Sequence, residues 1–379
     1  MTAMISLRGV SKVYEGGSGP AVHDIDIEVA AGETLVLLGP SGCGKTTTLE
    51  MINRLVEPTT GTIHLAGEDT ANLKPTELRR RIGYVIQDAG LFPHRTVAQN
   101  IATVPDLLGW PKERVTTRVD ELLTMVHLDP EQYRHRLPSE LSGGQRQRIG
   151  VARALAADPE VILMDEPFGA LDPITRDHLQ GEFRRLQQEI KKTIVFVTHD
   201  IDEAVRMGDR IAVFGRDSRI AQLDTPMQIL TRPSSEYVRD FVGGDATMRA
   251  MSLVEVPSDR GLLRDDSVTV LRADTPVGAG PVSDVLLIVD ESGRPLRWVE
   301  LALHASSRGT VGDLSGIDVV TVEAGSTLRA AVGSLLAAAG TVARAAVVDD
   351  RGQLIGTITL DDVHRMVGNS NVLPLRDLS

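Results

Sequence analysis

The chain is short of cysteine, of positive charge and of long hydrophobic runs. There is one cysteine, Cys43, in 379 residues. No intramolecular disulfide can form, and a reducing compartment fits. The longest apolar runs, such as 35–38 and 285–289, are a few residues long. A membrane-spanning helix needs about 20, and residues 1–10 lack the charged-then-apolar pattern of a signal peptide. These absences predict a cytoplasmic chain with no span of its own. Lys and Arg number 40 against 52 Asp and Glu, a net charge of -12. That balance disfavours nonspecific nucleic-acid binding, so no nucleic-acid partner is expected. Hydrophobic residues at 42% and charged residues at 24% exclude disorder and a fibrous chain. The length implies two or three domains.

Strand and helix patterns alternate through the first part. Ile25, Ile27 and Val29 alternate with Asp24, Asp26 and Glu28, as in a half-buried strand. Residues 34–38, 161–164 and 194–197 are continuous apolar runs, suited to strands buried on both faces. Helix patterns cover about 44–56, 173–190 and 201–207. Alternating strands and helices indicate parallel α/β architecture. Residues 90–158 break the alternation and read as a helical insert, with Pro111 opening a helix and Pro138 closing the stretch.

A composition shift falls near Gly243 and Gly244, and lysine disappears after Lys192. The region beyond contains an internal repeat. Val289–Gly293 aligns with Val348–Gly352 at an offset of 59, and Val268–Val270 aligns with Val320–Val322 at an offset of 52. The first copy is thus seven residues shorter by this alignment. The second copy fills the gap with a helix pattern, capped by Ser326, with Leu328, Ala331, Val332, Leu335 and Leu336 on one face.

Gly39-Pro40-Ser41-Gly42-Cys43-Gly44-Lys45-Thr46, followed by Thr47, matches G-x-x-x-x-G-K-[ST] between a buried strand and a helix. Such a loop turns backbone N–H groups and a helix N-terminus onto phosphate. Lys45 would reach the β/γ-phosphates of ATP, and Thr46 would ligate Mg²⁺. Residues 161–166 form an apolar strand that ends in two carboxylates. Asp165 would hold the metal, and Glu166 would act as the general base. Ser142-Gly143-Gly144-Gln145 opens another helix and makes a second anion-binding terminus. One nucleotide would meet both sites only if two chains paired head to tail.

Residues 4–245 resemble the ATPase subunit of an ABC transporter. The resemblance implies that Tyr14 stacks on adenine and that Gln87 senses the nucleotide, helps hold the metal and contacts the membrane subunit. It implies that Asp172 lies in the loop touching the partner's site, and that His199 contacts the γ-phosphate. Catalysis would then involve Glu166, His199, Lys45 and Gln87. The expected fold is a P-loop NTPase cassette with a RecA-like core, an antiparallel β subdomain and a helical subdomain over 90–158, the whole spanning 1–245. Two copies would sandwich two ATP molecules and drive integral membrane permease subunits from the cytoplasmic face of the membrane. An extracytoplasmic solute-binding protein would take part indirectly.

Residues 246–379 resemble a degenerate CBS pair, an α+β module with copies at about 252–305 and 313–370. Thr359 and Asp362 of copy two are its candidate regulatory-nucleotide residues. Copy one has Arg297, Glu300 and Leu303 at the equivalents of Gly356, Thr359 and Asp362, without the ligand chemistry. A cassette with this appendage is similar to the quaternary-amine importers, which take up glycine betaine, choline, carnitine or proline betaine. An importer for sugar, sulfate or phosphate is the alternative, and those relatives commonly carry a small β-barrel instead. A non-transport ABC protein usually has two cassettes or long heptads, neither of which is seen here.

Overall fold

The structure is a computed structural model. It describes all residues except 1–2, 17–18, 87–89, 170, 260–266, 279–282, 284, 301–303, 305–307, 338–343 and 370–379. The chain divides into two compact units, Met1–Gly243 and Gly244–Ser379.

The first unit is built on a six-stranded sheet. Its order is Ile220–Asp224, Arg210–Phe214, Thr34–Leu38, Thr193–Thr198, Val161–Asp165, Ile82–Val85. All pairs are parallel except the first, which is an antiparallel edge. Thr34–Leu38 is buried along its whole length, as its unbroken apolar run requires. A four-stranded antiparallel sheet has the order Pro20–Ala30, Ala3–Val13, Thr60–Leu65, Glu68–Asp69. In Pro20–Ala30 the buried side chains are Val22, Ile25, Ile27 and Val29, which alternate with polar neighbours after Ile25.

Helix Lys45–Ile52 is pinned by both sheets. Its Leu49, Met51 and Ile52 share one buried cluster with Ile5, Val22 and Ile27 of one sheet and Leu37, Leu163 and Val197 of the other. Burying each such side chain contributes about 1.5–3 kcal/mol, so the helix that follows the loop is anchored by its own core. The helix is shorter than the 44–56 expected. It ends at Ile52, and Arg54 takes a left-handed backbone with φ 48. The cause is tertiary: the Arg54 guanidinium donates to the carbonyls of Thr70 at 2.8 Å and Leu73 at 2.6 Å.

The insert is helical, as expected. Pro111 precedes helix Lys112–Met125, whose Val115, Val119, Leu122 and Leu123 are buried. Pro138 does not close the stretch; it opens a single 3₁₀ turn, Pro138–Glu140. Helix Gly143–Leu155 lies against the core sheet so closely that a Cβ at Gly83 would stand 2.4 Å from the Ala154 carbonyl.

The second unit contains the two copies. In the first, Val268–Arg272 pairs parallel with Val285–Val289, which pairs antiparallel with Pro295–Glu300. In the second, Thr321–Glu323, Arg344–Val348 and Leu354–Thr359 repeat the pattern. The register corrects the alignment by one residue. Leu271 faces Ile288 and Val322 faces Val347, so the first strands are offset by 51 and the first copy is shorter by eight. Burial agrees: Val322 is buried, whereas Val270 is 46% exposed. The helix of copy two is Leu328–Ala337. Its cap is Thr327, whose hydroxyl accepts from Ala330 N–H, while Ser326 donates back to Glu323. Leu336 is exposed, not part of the buried face.

The copies are joined by exchanged segments. At the start of copy one, Val254 and Val256 bond across to copy two: Leu328 N–H donates to the Val254 carbonyl and Val256 N–H to the Ser326 carbonyl. The reciprocal bonds run from Val277 N–H to the Gly309 carbonyl and from Val311 N–H to the Thr275 carbonyl. Val311 and Leu314 then bury against Leu286, Ile288 and Val299 of copy one. They supply apolar cover where copy two has its own helix.

Candidate functional site

The predicted loop residues 39–47, Asp165, Glu166 and His199 converge at the C-terminal ends of the parallel strands, where open α/β sheets place their ligands. The loop between Thr34–Leu38 and helix Lys45–Ile52 carries the glycines. Gly44 has φ 100, and a Cβ there would stand 2.3 Å from the Ala21 carbonyl. Only glycine fits both the backbone and the space. Lys45, 5% exposed, donates from Nζ to the Gly39 and Pro40 carbonyls, each at 2.8 Å. Its charge is thus held back along the loop, which keeps a cation where phosphate would sit. Cys43 is buried beneath it, and burial pushes its thiol up against the opposing pull of Lys45.

Thr46 donates to Asp165 Oδ1 at 3.1 Å. Burial first, then the Glu166 carboxylate, pushes Asp165 above the usual carboxylate range; the Thr46 bond and Lys45 pull it back. A hydroxyl and a carboxylate are hard oxygen donors and fit Mg²⁺, which keeps waters and takes phosphate oxygens as its other ligands. Among the described residues there is no group of three or more His, Cys, Asp or Glu side chains that could hold a metal by itself.

Glu166 follows the strand with φ 41, a strained conformation for a non-glycine residue. Its N–H donates to the Val197 carbonyl at 3.0 Å, which ties it to the strand that ends before His199. His199 Nδ1 lies 3.1 Å from Glu166 Oε1. Glu166 and His199 share a hollow with Gly169, Arg176, Thr198, Asp200 and Glu203. Arg176, Thr198, Asp200 and Glu203 escaped the sequence reading. Thr198 and Asp200 flank His199 in sequence, and Glu203 follows it by four residues, a shared turn; Arg176 has no such signal.

Ser142 and Gln145 form a capping box on helix Gly143–Leu155: the hydroxyl accepts from Gln145 N–H at 3.2 Å, and Gln145 Oε1 accepts from Ser142 N–H at 2.9 Å. Among the described residues no hydrogen bond or ion pair joins Ser142–Gln145 to Lys45, Thr46, Asp165 or Glu166. Asp172 caps helix Pro173–Ile190 through Thr175 N–H, and its bonds to Thr175 hold its carboxyl low. Tyr14 is 44% exposed with Lys12 Nζ 5.0 Å above its ring. It follows Val13, which pairs with Pro20, next to the Ala21 carbonyl that abuts Gly44. Gln87 lies outside the described residues.

In the second unit Thr359 and Asp362 bond to each other. Thr359 N–H and Oγ1 donate to Asp362 Oδ2 at 2.9 and 2.6 Å, and Asp362 N–H donates to Thr359 Oγ1 at 3.2 Å. They form the cap of helix Leu360–Asn369. Leu303 lies outside the described residues.

Comparison with known proteins bears on this geometry. The family described as ABC transporter matches residues 22–169. The glycine betaine/carnitine/choline transport ATP-binding protein OpuCA of Bacillus subtilis is 46% identical over 364 residues, covering 94% of each chain. The chain belongs to the ABC transporter ATP-binding family. The osmoprotectant import ATP-binding protein OsmV of Salmonella typhimurium is 44% identical, again covering 94% of each. The CBS domain family matches residues 311–369, the second repeat and the segment leading into it. This ABC ATPase also resembles a solved dimeric ATP-binding cassette in a post-hydrolysis state bound to ADP and Pi. That likeness has 34% identity and a TM-score of 0.53, and covers 59% of this chain and 99% of the other. No helix among the described residues is long and apolar enough to cross a membrane.

Proposed function

We propose that this ABC ATPase drives an importer for osmoprotectant quaternary amines such as glycine betaine and choline. The observation that supports it most is the length of the match. OpuCA and OsmV align across 94% of this chain, through the repeat as well as the cassette.

In this reading ATP binds with Mg²⁺, which when bound neutralises charge on the phosphates. The chain's residues do the rest. The loop N–H groups and Lys45 hold the phosphates, while Thr46 and Asp165 hold the cation. Glu166 takes a proton from the attacking water, and His199, bonded to Glu166, keeps that carboxylate aimed. Ser142, Gly143, Gly144 and Gln145 complete the site of a second copy, since among the described residues Ser142 and Gln145 bond to each other, and Gln145 to Tyr133, but not to the loop. Asp172 faces the partner, and Tyr14 stacks on the base. The working unit is then a homodimer at the cytoplasmic face of the cell membrane, bound to permease subunits. The acidic module after residue 244 gates transport.

Uptake of labelled glycine betaine tests this, in cells producing the chain with its membrane subunits. Wild type should restore uptake. Glu166→Gln should retain ATP binding but hydrolyse about 10²–10⁴-fold more slowly, the usual worth of a general base, and uptake should fall with it. Uptake of a polyamine but not of betaine would assign a different solute. Near-normal hydrolysis by Glu166→Gln would remove that residue from its role.

A further inference from the structure

Arg176 lies in the first turn of helix Pro173–Ile190, four residues after Asp172. Its Nη2 donates to the Leu171 carbonyl at 3.1 Å. Its Nη1 lies 3.7 Å from Asp200 Oδ2, and its Nε lies 4.0 Å from Glu203 Oε1. The Nε is buried and has no hydrogen-bond partner among the described residues. One guanidinium therefore reaches two segments far apart in sequence, the one that carries Asp172 and the one that carries His199. Here three different nitrogens of one rigid plane face a carbonyl and two carboxylates; a lysine ammonium gathers its donors on a single atom and lacks that fork.

Glu203 is the other half of the device. It is 4% exposed. Its Oε2 accepts from the Thr198 hydroxyl at 2.6 Å, and its Oε1 accepts from the Gln180 amide at 3.0 Å. Thr198 Oγ1 in turn accepts from Asp200 N–H at 3.0 Å. The residues on either side of His199 are thus bonded through a hydroxyl that Glu203 holds. Burial pushes Glu203 up, and the Thr198 bond and the Arg176 charge pull against it.

We propose that Arg176 and Glu203 are a positioning pair that fixes His199 against Glu166 and couples this arrangement to the Asp172 segment. A displacement of that segment moves the Leu171 carbonyl, then the Arg176 guanidinium, then the Asp200 turn beside His199. The inference rests on Glu166 and His199 being the reactive groups. It deepens that reading by assigning the residues that hold them.

The test uses the full chain. ATP turnover is measured alongside affinity for a fluorescent ATP analogue. Arg176→Gln and Glu203→Gln should each lower kcat roughly tenfold, as expected when a reactive group is misplaced by part of an ångström. Analogue affinity and KM should stay within about twofold, which also shows that the site is folded. Because the two act as one unit, the double variant should lose no more than the worse single one. Arg176→Lys keeps the charge without the fork and should restore only part of kcat. Additive losses of about a hundredfold in the double variant would overturn the pairing, and full recovery with lysine would overturn the fork. Normal kcat in both single variants, with His199→Ala inactive, would overturn this proposal alone. Normal turnover by His199→Ala would instead remove the underlying site reading.

Discussion

Asp165 carries opposed demands at one residue. The same burial that places its carboxylate beside Thr46 penalises the charge a cation would need. Its folded value lies above 3.8, so it binds its proton more tightly folded than unfolded. The corresponding stability is fully present below 3.8 and is lost as pH rises through the raised folded value. At pH 7 the ionised group is therefore carried at a cost in the nucleotide-free chain. Asparagine keeps the oxygen that Thr46 bonds and removes the charge. Nucleotide-free Asp165→Asn should melt above wild type at pH 7, with the gap closing as pH falls toward 4. Its Mg²⁺-dependent turnover should drop roughly 10–100-fold or more, as for lost metal-site partners. A thermal scan across pH with a parallel ATPase assay checks both. A variant that melts lower at pH 7 would show that Thr46 and Lys45 hold the ionised carboxylate well enough to outweigh its burial.

At the scale of the element, the capping box at Ser142 separates structure from chemistry. Ser142 satisfies an orphan N–H at the helix start, and removing such a cap costs about 1 kcal/mol. Aspartate caps as well as serine does, but it puts a negative charge where a partner's phosphate would sit. Ser142→Asp should therefore melt within a degree or two of wild type while ATP turnover falls at least about tenfold; like charges near 4 Å repel by several kcal/mol at protein surfaces. Full activity in the variant would leave Ser142 as a cap and nothing more. Elements of this kind were the legible part. The loop 39–46, the strand ending at Asp165 and the helix opening at Ser142 are each written in consecutive residues, because each presents its reactive groups from a single turn at the end of one element. What was not legible depends on tertiary partners. Helix Lys45–Ile52 stops early because Arg54 bonds to carbonyls 16 and 19 residues on. Thr327, not Ser326, caps the repeat helix, although either side chain could. The Arg176–Glu203 network draws on Gln180, Thr198 and Asp200, and no spacing advertises it. The first repeat strand could be shifted by one residue because valine, threonine and leucine suit either face until a partner strand fixes the register.

For the whole molecule, the unequal repeat shows how a shortened copy survives. Copy one lacks a described helix between its two parallel strands, yet Leu286, Ile288 and Val299 are fully buried. They are covered by Val311 and Leu314, which lie on the chain entering copy two. The reciprocal segment, with Val254 and Val256, bonds at the start of the copy-two helix. Neither copy then has a complete set of bonds without the other, so Gly244–Ser379 should unfold as one cooperative unit, not as two domains of about sixty residues, each marginal at that size. The charge asymmetry sharpens the consequence: residues 251–379 hold 11 Arg against 17 Asp and Glu, so electrostatic repulsion opposes the packing that these apolar segments provide. Val311 is 2% exposed. Val311→Asp would place an unpaired carboxylate in the shared cluster, a change in the class that costs several kcal/mol. Hydrogen exchange should then show loss of protection in both copies together, at Leu286–Val289 in the first and at Ala345–Val348 in the second, while strands Thr34–Leu38 and Thr193–Thr198 of the other unit keep theirs. Loss confined to copy one would show that copy two stands on its own helix, and that the exchanged segments join two independent folds.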